Sequence, residues 1–163
     1  MSRVLSYGVS ALVMLTLDLL WLGVLAPPLY ERAIGPLLRP QPDLLAAALF
    51  YAVYLVGVNE LVVHAETTAA RSHSVAARGA LLGLVAYSTF DLTALAVLTG
   101  WSALVSAVDI AWGMLLTAAT AGVTHAVATR RARSRAGSRR PRRSPTPPTS
   151  RSRKPRRRHS QSP

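Results

Sequence analysis

Apolar residues fall into four long blocks along this chain, separated by short polar connectors, and the last stretch holds almost none. The blocks lie at about 4–26, 44–63, 79–98 and 101–127. Each has about 20 residues or more, enough at 1.5 Å per residue to cross a hydrocarbon core of about 30 Å. The pattern predicts an all-α integral membrane four-helix bundle over residues 1–128 and a disordered tail over 129–163. The first block exceeds the apolar core of about 7–15 residues expected of a cleaved signal, and Asp18 interrupts it.

The punctuation between blocks supports this division. Pro27-Pro28 closes the first span, since proline cannot continue a helix. A polar connector follows, with Glu31, Arg32 and Arg39, and Asp43 stands where the second span needs an N-cap. Thr99-Gly100 leaves room only for a tight turn, so spans three and four are antiparallel neighbours.

Charge adds orientation. The chain has 19 Lys and Arg against 7 Asp and Glu, but the basic excess is confined to Arg130–Arg158. This is a membrane body with a basic tail. Arg3, Arg71, Arg78 and the Arg130–Arg135 cluster outweigh Arg32 and Arg39 on the other side, which predicts cytoplasmic termini. Trp101 then falls at the opposite interface, where an amphipathic ring is favoured. The Arg-, Ser- and Pro-rich tail has too little apolar surface to offset ordering entropy. Its expected partners are anionic headgroups, at about 1 kcal/mol per basic residue. It has no Tyr, Phe or Trp on which bases could stack, so nucleic acid is not an expected partner. There is no cysteine, so disulfides and thiolate metal sites are excluded.

The candidate chemistry sits inside the blocks. Asp18, Asp91 and Asp109 lie within apolar stretches that contain no Lys or Arg. A charge at the bilayer centre costs roughly 3 kcal/mol or more, so such acids face the bundle interior and mark function or interhelical glue. Counted inward from Pro27, Gly100 and Trp101, the three lie about 12–14 Å below one membrane edge, in a common layer. Tyr51 has nearly the same depth, and Tyr54 is one turn deeper. Trp21 follows Asp18 by three residues and Trp112 follows Asp109 by three, which puts each indole on its acid's face. The two Asp-x-x-Trp segments run in opposite directions, a weak echo of an inverted repeat. Tyr87 and Ser88 share the face of Asp91.

These residues define the expected site: Asp18, Asp91, Asp109, Tyr51, Tyr87, Trp21 and Trp112, taking up a proton, a cation or an amine-bearing ligand. Aromatic rings beside a carboxylate suit an organic cation. Two other readings stand beside it. One is a membrane enzyme using an aspartate as general acid or base on a lipid-soluble substrate. The other is an accessory protein whose acids bond to Tyr, Thr, Ser or Trp and only hold the bundle together. Glu60 and His64 are four apart near the cytoplasmic end, with His125 at a similar level, but no His-Glu-x-x-His pattern occurs and no metal site is expected. No cofactor can be named, since the nucleotide-binding and nucleophile-elbow motifs are absent. The small size of the bundle is compatible with homo-oligomerisation. Gly79, Gly83, Gly113, Thr117 and Ala121 would let helices approach closely.

Four segments carry a family resemblance: Asp18-Leu19-Leu20-Trp21-Leu22-Gly23, Ala48-Leu49-Phe50-Tyr51-Ala52-Val53-Tyr54, Tyr87-Ser88-Thr89-Phe90-Asp91-Leu92-Thr93 and Asp109-Ile110-Ala111-Trp112-Gly113. In this order, over about Leu5 to Ala126, they resemble the bacterial membrane-protein family called domain of unknown function 2177. The resemblance implies a four-span architecture and a bacterial inner membrane, and it implies no activity.

Overall fold

A computed structural model describes residues 3–65 and 70–138. Five α-helices make up the body: α1 (Arg3–Leu20), α2 (Pro27–Ile34), α3 (Leu44–Gly57), α4 (Ser72–Val97) and α5 (Ala103–Ser138). No strand occurs among the described residues. Wider π-helical turns extend α1 over Trp21–Leu25 and α3 over Val58–Val63. With these included, four helices are long and apolar enough to cross a bilayer.

The interior mixes apolar and many polar side chains, and the exterior is apolar. Ser6, Ser10, Asn59, Thr117, Thr120 and Thr124 are buried together with Asp18 and Asp91. Leu12, Leu19, Leu45, Val53, Leu61, Val85, Val97 and Leu115 are exposed. In water this would leave a very large apolar surface uncovered. In lipid, tails are as apolar as leucine, and helices associate through close packing and interhelical hydrogen bonds instead. Even outward-facing hydroxyls conform. Thr16 and Thr89 are exposed, and each donates to a carbonyl four residues back in its own helix, at 2.7 and 2.6 Å. The chain is a membrane protein with four candidate spans.

Small residues set the tightest contact, between α4 and α5. A Cβ placed on Gly79 would lie 2.7 Å from the Thr117 carbonyl oxygen, and one on Gly83 would strike the Gly113 carbonyl. Gly113 in turn lies under the Tyr87 ring. The turn joining the two helices uses Gly100 at φ 84°, a conformation open to glycine at little cost. Beneath this contact Asn59 and Ser10 together tie three helices. Its Oδ1 accepts from Ser6 at 2.8 Å and from Ser10 at 3.3 Å, and Ser10 also meets Thr124 at 3.0 Å.

Three boundaries differ from those read in the sequence. Pro27-Pro28 ends the first span but also opens α2, because proline's missing N–H and fixed φ suit a first helical turn. Much of the expected polar connector is therefore helical. Span three starts at Ser72, seven residues before the expected 79. Helix α5 runs to Ser138, past the expected tail boundary at 129. Arg and Ala favour helix, Pro141 is the first proline beyond it, and cations suit a helix C-terminus. The rest of the expected tail, 139–163, lies outside the described residues. The expected cap is in place: Asp43 accepts from the amides of Leu45 and Ala46, both at 3.1 Å.

Replacing Gly83 or Gly113 with alanine should lower stability by about 1–3 kcal/mol, since backbone or ring must shift. Gly57→Ala, which meets nothing within 4 Å, should be neutral or better. Thermal unfolding of the purified variants in one detergent checks the contrast.

Candidate functional site

The site is built from the acids upward. Asp18, near the end of α1, is almost fully buried. Its Oδ2 accepts from the Tyr51 hydroxyl of α3 and its Oδ1 from Trp112 Nε1 of α5, both at 3.0 Å. One carboxyl therefore joins three helices. Asp109 on α5 accepts a short hydrogen bond from the Tyr30 hydroxyl of α2. Tyr30 also receives Trp21 Nε1 at 3.4 Å. Burial, and after it the hydrogen bond to Asp109, hold the Tyr30 phenol well above the usual tyrosine range, so it stays a donor.

Asp91 on α4 is different. It is fully buried, and neither carboxyl oxygen has a hydrogen-bond partner. The neighbouring Ser106 hydroxyl donates to the main-chain carbonyl of Asp91, at 3.4 Å. Native proteins rarely leave a buried polar side chain unpaired, and such exceptions call for an explanation.

Aromatic rings frame the acids. Trp21 and Trp112 stack with centroids 4.5 Å apart and planes 9° from parallel. The π-turn begins at Trp21. The wider turn changes the register of side chains beyond it, and such turns recur at functional sites. Tyr54 gives its hydroxyl proton to Thr117 at 2.7 Å, because the Thr117 proton is committed to the Gly113 carbonyl. Its ring meets Tyr87 edge-on at 6.2 Å.

A cavity of about 380 Å³ lies among these groups. Asp18, Asp91, Asp109, Tyr51, Tyr87, Trp21 and Trp112 all line it, so the structure brings together the seven residues singled out in the sequence. Tyr30, Tyr54, Phe50, Phe90, Leu22, Ala47 and Ala86 complete the wall. Tyr30 was missed because the segment after Pro27-Pro28 read as a connector. The available signal was proline at a helix start followed by Leu29, Tyr30, Ala33 and Ile34 at helical spacing. Glu60 and His64 pair with each other at 3.1 Å, and Tyr7 donates to Glu60 at 3.0 Å. Among the described residues, no three His, Asp or Glu side chains converge as one metal site would need.

The acids should separate in stability. Asp18→Asn keeps an acceptor for one donor but turns an amide NH2 against the other, and should cost about 1–3 kcal/mol. Asp91→Asn breaks no hydrogen bond and should leave thermal stability unchanged or raise it. Equal losses at the two positions in detergent melts would show that Asp91 has a structural partner.

The sequence model of a family described as predicted membrane protein, domain of unknown function 2177, matches residues 3–126. No curated protein and no solved structure matches the chain. The match takes in three candidate spans, most of the fourth and every residue of the cavity wall, and the chain belongs to this family of predicted membrane proteins.

Proposed function

We propose that the protein binds a ligand carrying a protonated amine, with Asp91 as the group that receives it. One observation carries this reading: a fully buried carboxyl with no partner, on the wall of an aromatic cavity. An ionised carboxyl left alone at bilayer depth costs several kcal/mol, and a proton or a cationic partner removes that cost. An ammonium group meets both needs of the site. It donates to the unpaired oxygens, and its charge is attracted to the faces of neighbouring rings.

The other two acids serve this reading by being occupied. Asp18 and Asp109 already accept hydrogen bonds, so they compete less for the incoming charge. The convergence of carboxylates needed for a bare metal ion is missing among the described residues, which favours an organic cation over an inorganic one. Exchange of a proton for the ammonium at Asp91 would couple binding to proton release, and so to transport if the site opens alternately.

The setting is also proposed: a bacterial plasma membrane, with both termini in the cytoplasm. Arg3, Arg71, Arg78 and the Arg130–Arg133 run lie at the end of the bundle opposite the Gly100 turn, which favours that orientation. Alkaline phosphatase inserted after Gly100 should be active in cells and the same enzyme fused after Ser138 inactive. The reverse pattern would invert the topology.

Amine binding is tested with primary amines from propylamine to dodecylamine added to purified protein, following tryptophan emission from the Trp21–Trp112 pair. At least one amine should saturate, and Asp91→Asn should weaken it about 10- to 100-fold, the loss of one charged hydrogen bond. Saturation unaffected by Asp91→Asn would remove Asp91 from the site.

A further inference from the structure

The cavity has an open side, and that side faces lipid. Helix α1 packs against α3 and α5, and α5 packs against α4, yet the Cα traces of α3 and α4 nowhere come within 8 Å. Their backbones come close only lower down, where the Val58–Val63 turn that extends α3 reaches both α4 and α5. The bundle is therefore a V, open between α3 and α4 toward the Gly100 end.

The cavity wall follows this opening. Ala47, Phe50 and Tyr51 line it from α3, and Ala86, Phe90 and Asp91 from α4. At its base the Tyr54–Tyr87 edge contact bridges the gap. At its rim Phe50 is 43% and Phe90 62% exposed. Both belong to candidate spans, so their exposed faces meet acyl chains. Aromatic rings hold two other parts of the wall. The Trp21–Trp112 stack stands across α1 and α5, and Tyr30 is fastened to Asp109 and to Trp21 at the end that the α2 segment covers.

Resting on the amine-binding reading above, we infer that the ligand is a membrane-dissolved amphiphile, a long-chain primary amine that enters sideways between α3 and α4. The head reaches Asp91 and the chain leaves through the Phe50–Phe90 opening into the bilayer. Three observations agree on this class. The wall is largely apolar, with polar groups concentrated at the acids. The volume is near the small end of ligand pockets, enough for a head and the start of a chain. The opening lies along the lipid-facing flank, so a molecule already in the bilayer needs no passage through water. A short, water-soluble amine could make the contact with Asp91 but would not concentrate in the bilayer from which the opening is reached.

The experiment uses the full chain in phosphatidylcholine nanodiscs with Trp101→Phe, so that emission reports Trp21 and Trp112 alone. Dodecylamine, counted per mole of lipid, should saturate the signal, and propylamine should need at least 100-fold more. The chain has no cysteine, so Phe50→Cys with Phe90→Cys allows a bismaleimide staple across the opening. Stapling should slow dodecylamine binding at least 10-fold relative to the same double variant capped with N-ethylmaleimide. Propylamine binding as tightly as dodecylamine, or a stapled protein loading at the unstapled rate, overturns lateral entry and leaves the Asp91 pocket standing. No saturation by either amine overturns both. Saturation by dodecylamine that survives Asp91→Asn keeps the opening and overturns the amine reading.

Discussion

Within a bilayer a polar group has no water to turn to, and this constraint shapes every part of the molecule. Each hydroxyl, amide and carboxyl inside the bundle needs a partner supplied by the protein. Asn59 takes Ser6 and Ser10, Asp18 takes Tyr51 and Trp112, and Thr117 links Tyr54 to the Gly113 carbonyl. Single interhelical bonds in membranes contribute modestly, about 0.6 kcal/mol on average in one measured protein. Their larger effect is on register, since a helix that slides by one turn leaves several of them broken at once.

The same constraint explains why the helices approach so unequally. Glycines let α4 and α5 come into backbone contact, where dispersion replaces the missing hydrophobic effect. No such pairing of small residues joins α3 to α4, and aromatic rings line the space instead. Large rings keep helices apart, and they supply the wall of a cavity where the helices stay separated. Tight packing on one side and a gap on the other are thus two results of where the sequence puts glycine and where it puts tyrosine and phenylalanine.

Much of this was legible in the sequence, and the physical reasons are specific. The spans show because lipid tolerates so little polarity over about 20 residues. Asp18, Asp91 and Asp109 could be placed inward because the alternative is lipid. The Asp-x-x-Trp spacing put Trp21 and Trp112 on the acids' faces, but it did not show that Trp112 would serve Asp18 on another helix while Trp21 served Tyr30. Partners across helices depend on rotation and tilt, which spacing does not encode. Helix α2 was hidden because the prolines that stop one helix also start the next. The two π-turns were hidden as well, since one extra residue in a turn leaves no compositional mark. Neutral Asn59 drew no notice, although its burial and its bonds to Ser6 and Ser10 make it a junction of the lower bundle.

Asp18 and Asp91 have the same side chain and similar burial, and their expected depths in the bilayer are close. The difference between them lies in their neighbours. Tyr51 and Trp112 point donors at Asp18, which turns a costly group into a joint between three helices. Around Asp91 the nearby hydroxyl of Ser106 donates to the main chain, and the carboxyl is left unpaired within the cavity wall. A bundle that used its acids only as fasteners would have gained by pairing this one too, or by replacing it with leucine. Its unpaired state carries a standing cost in stability, and a ligand that supplies the missing donors would remove that cost at the moment of binding.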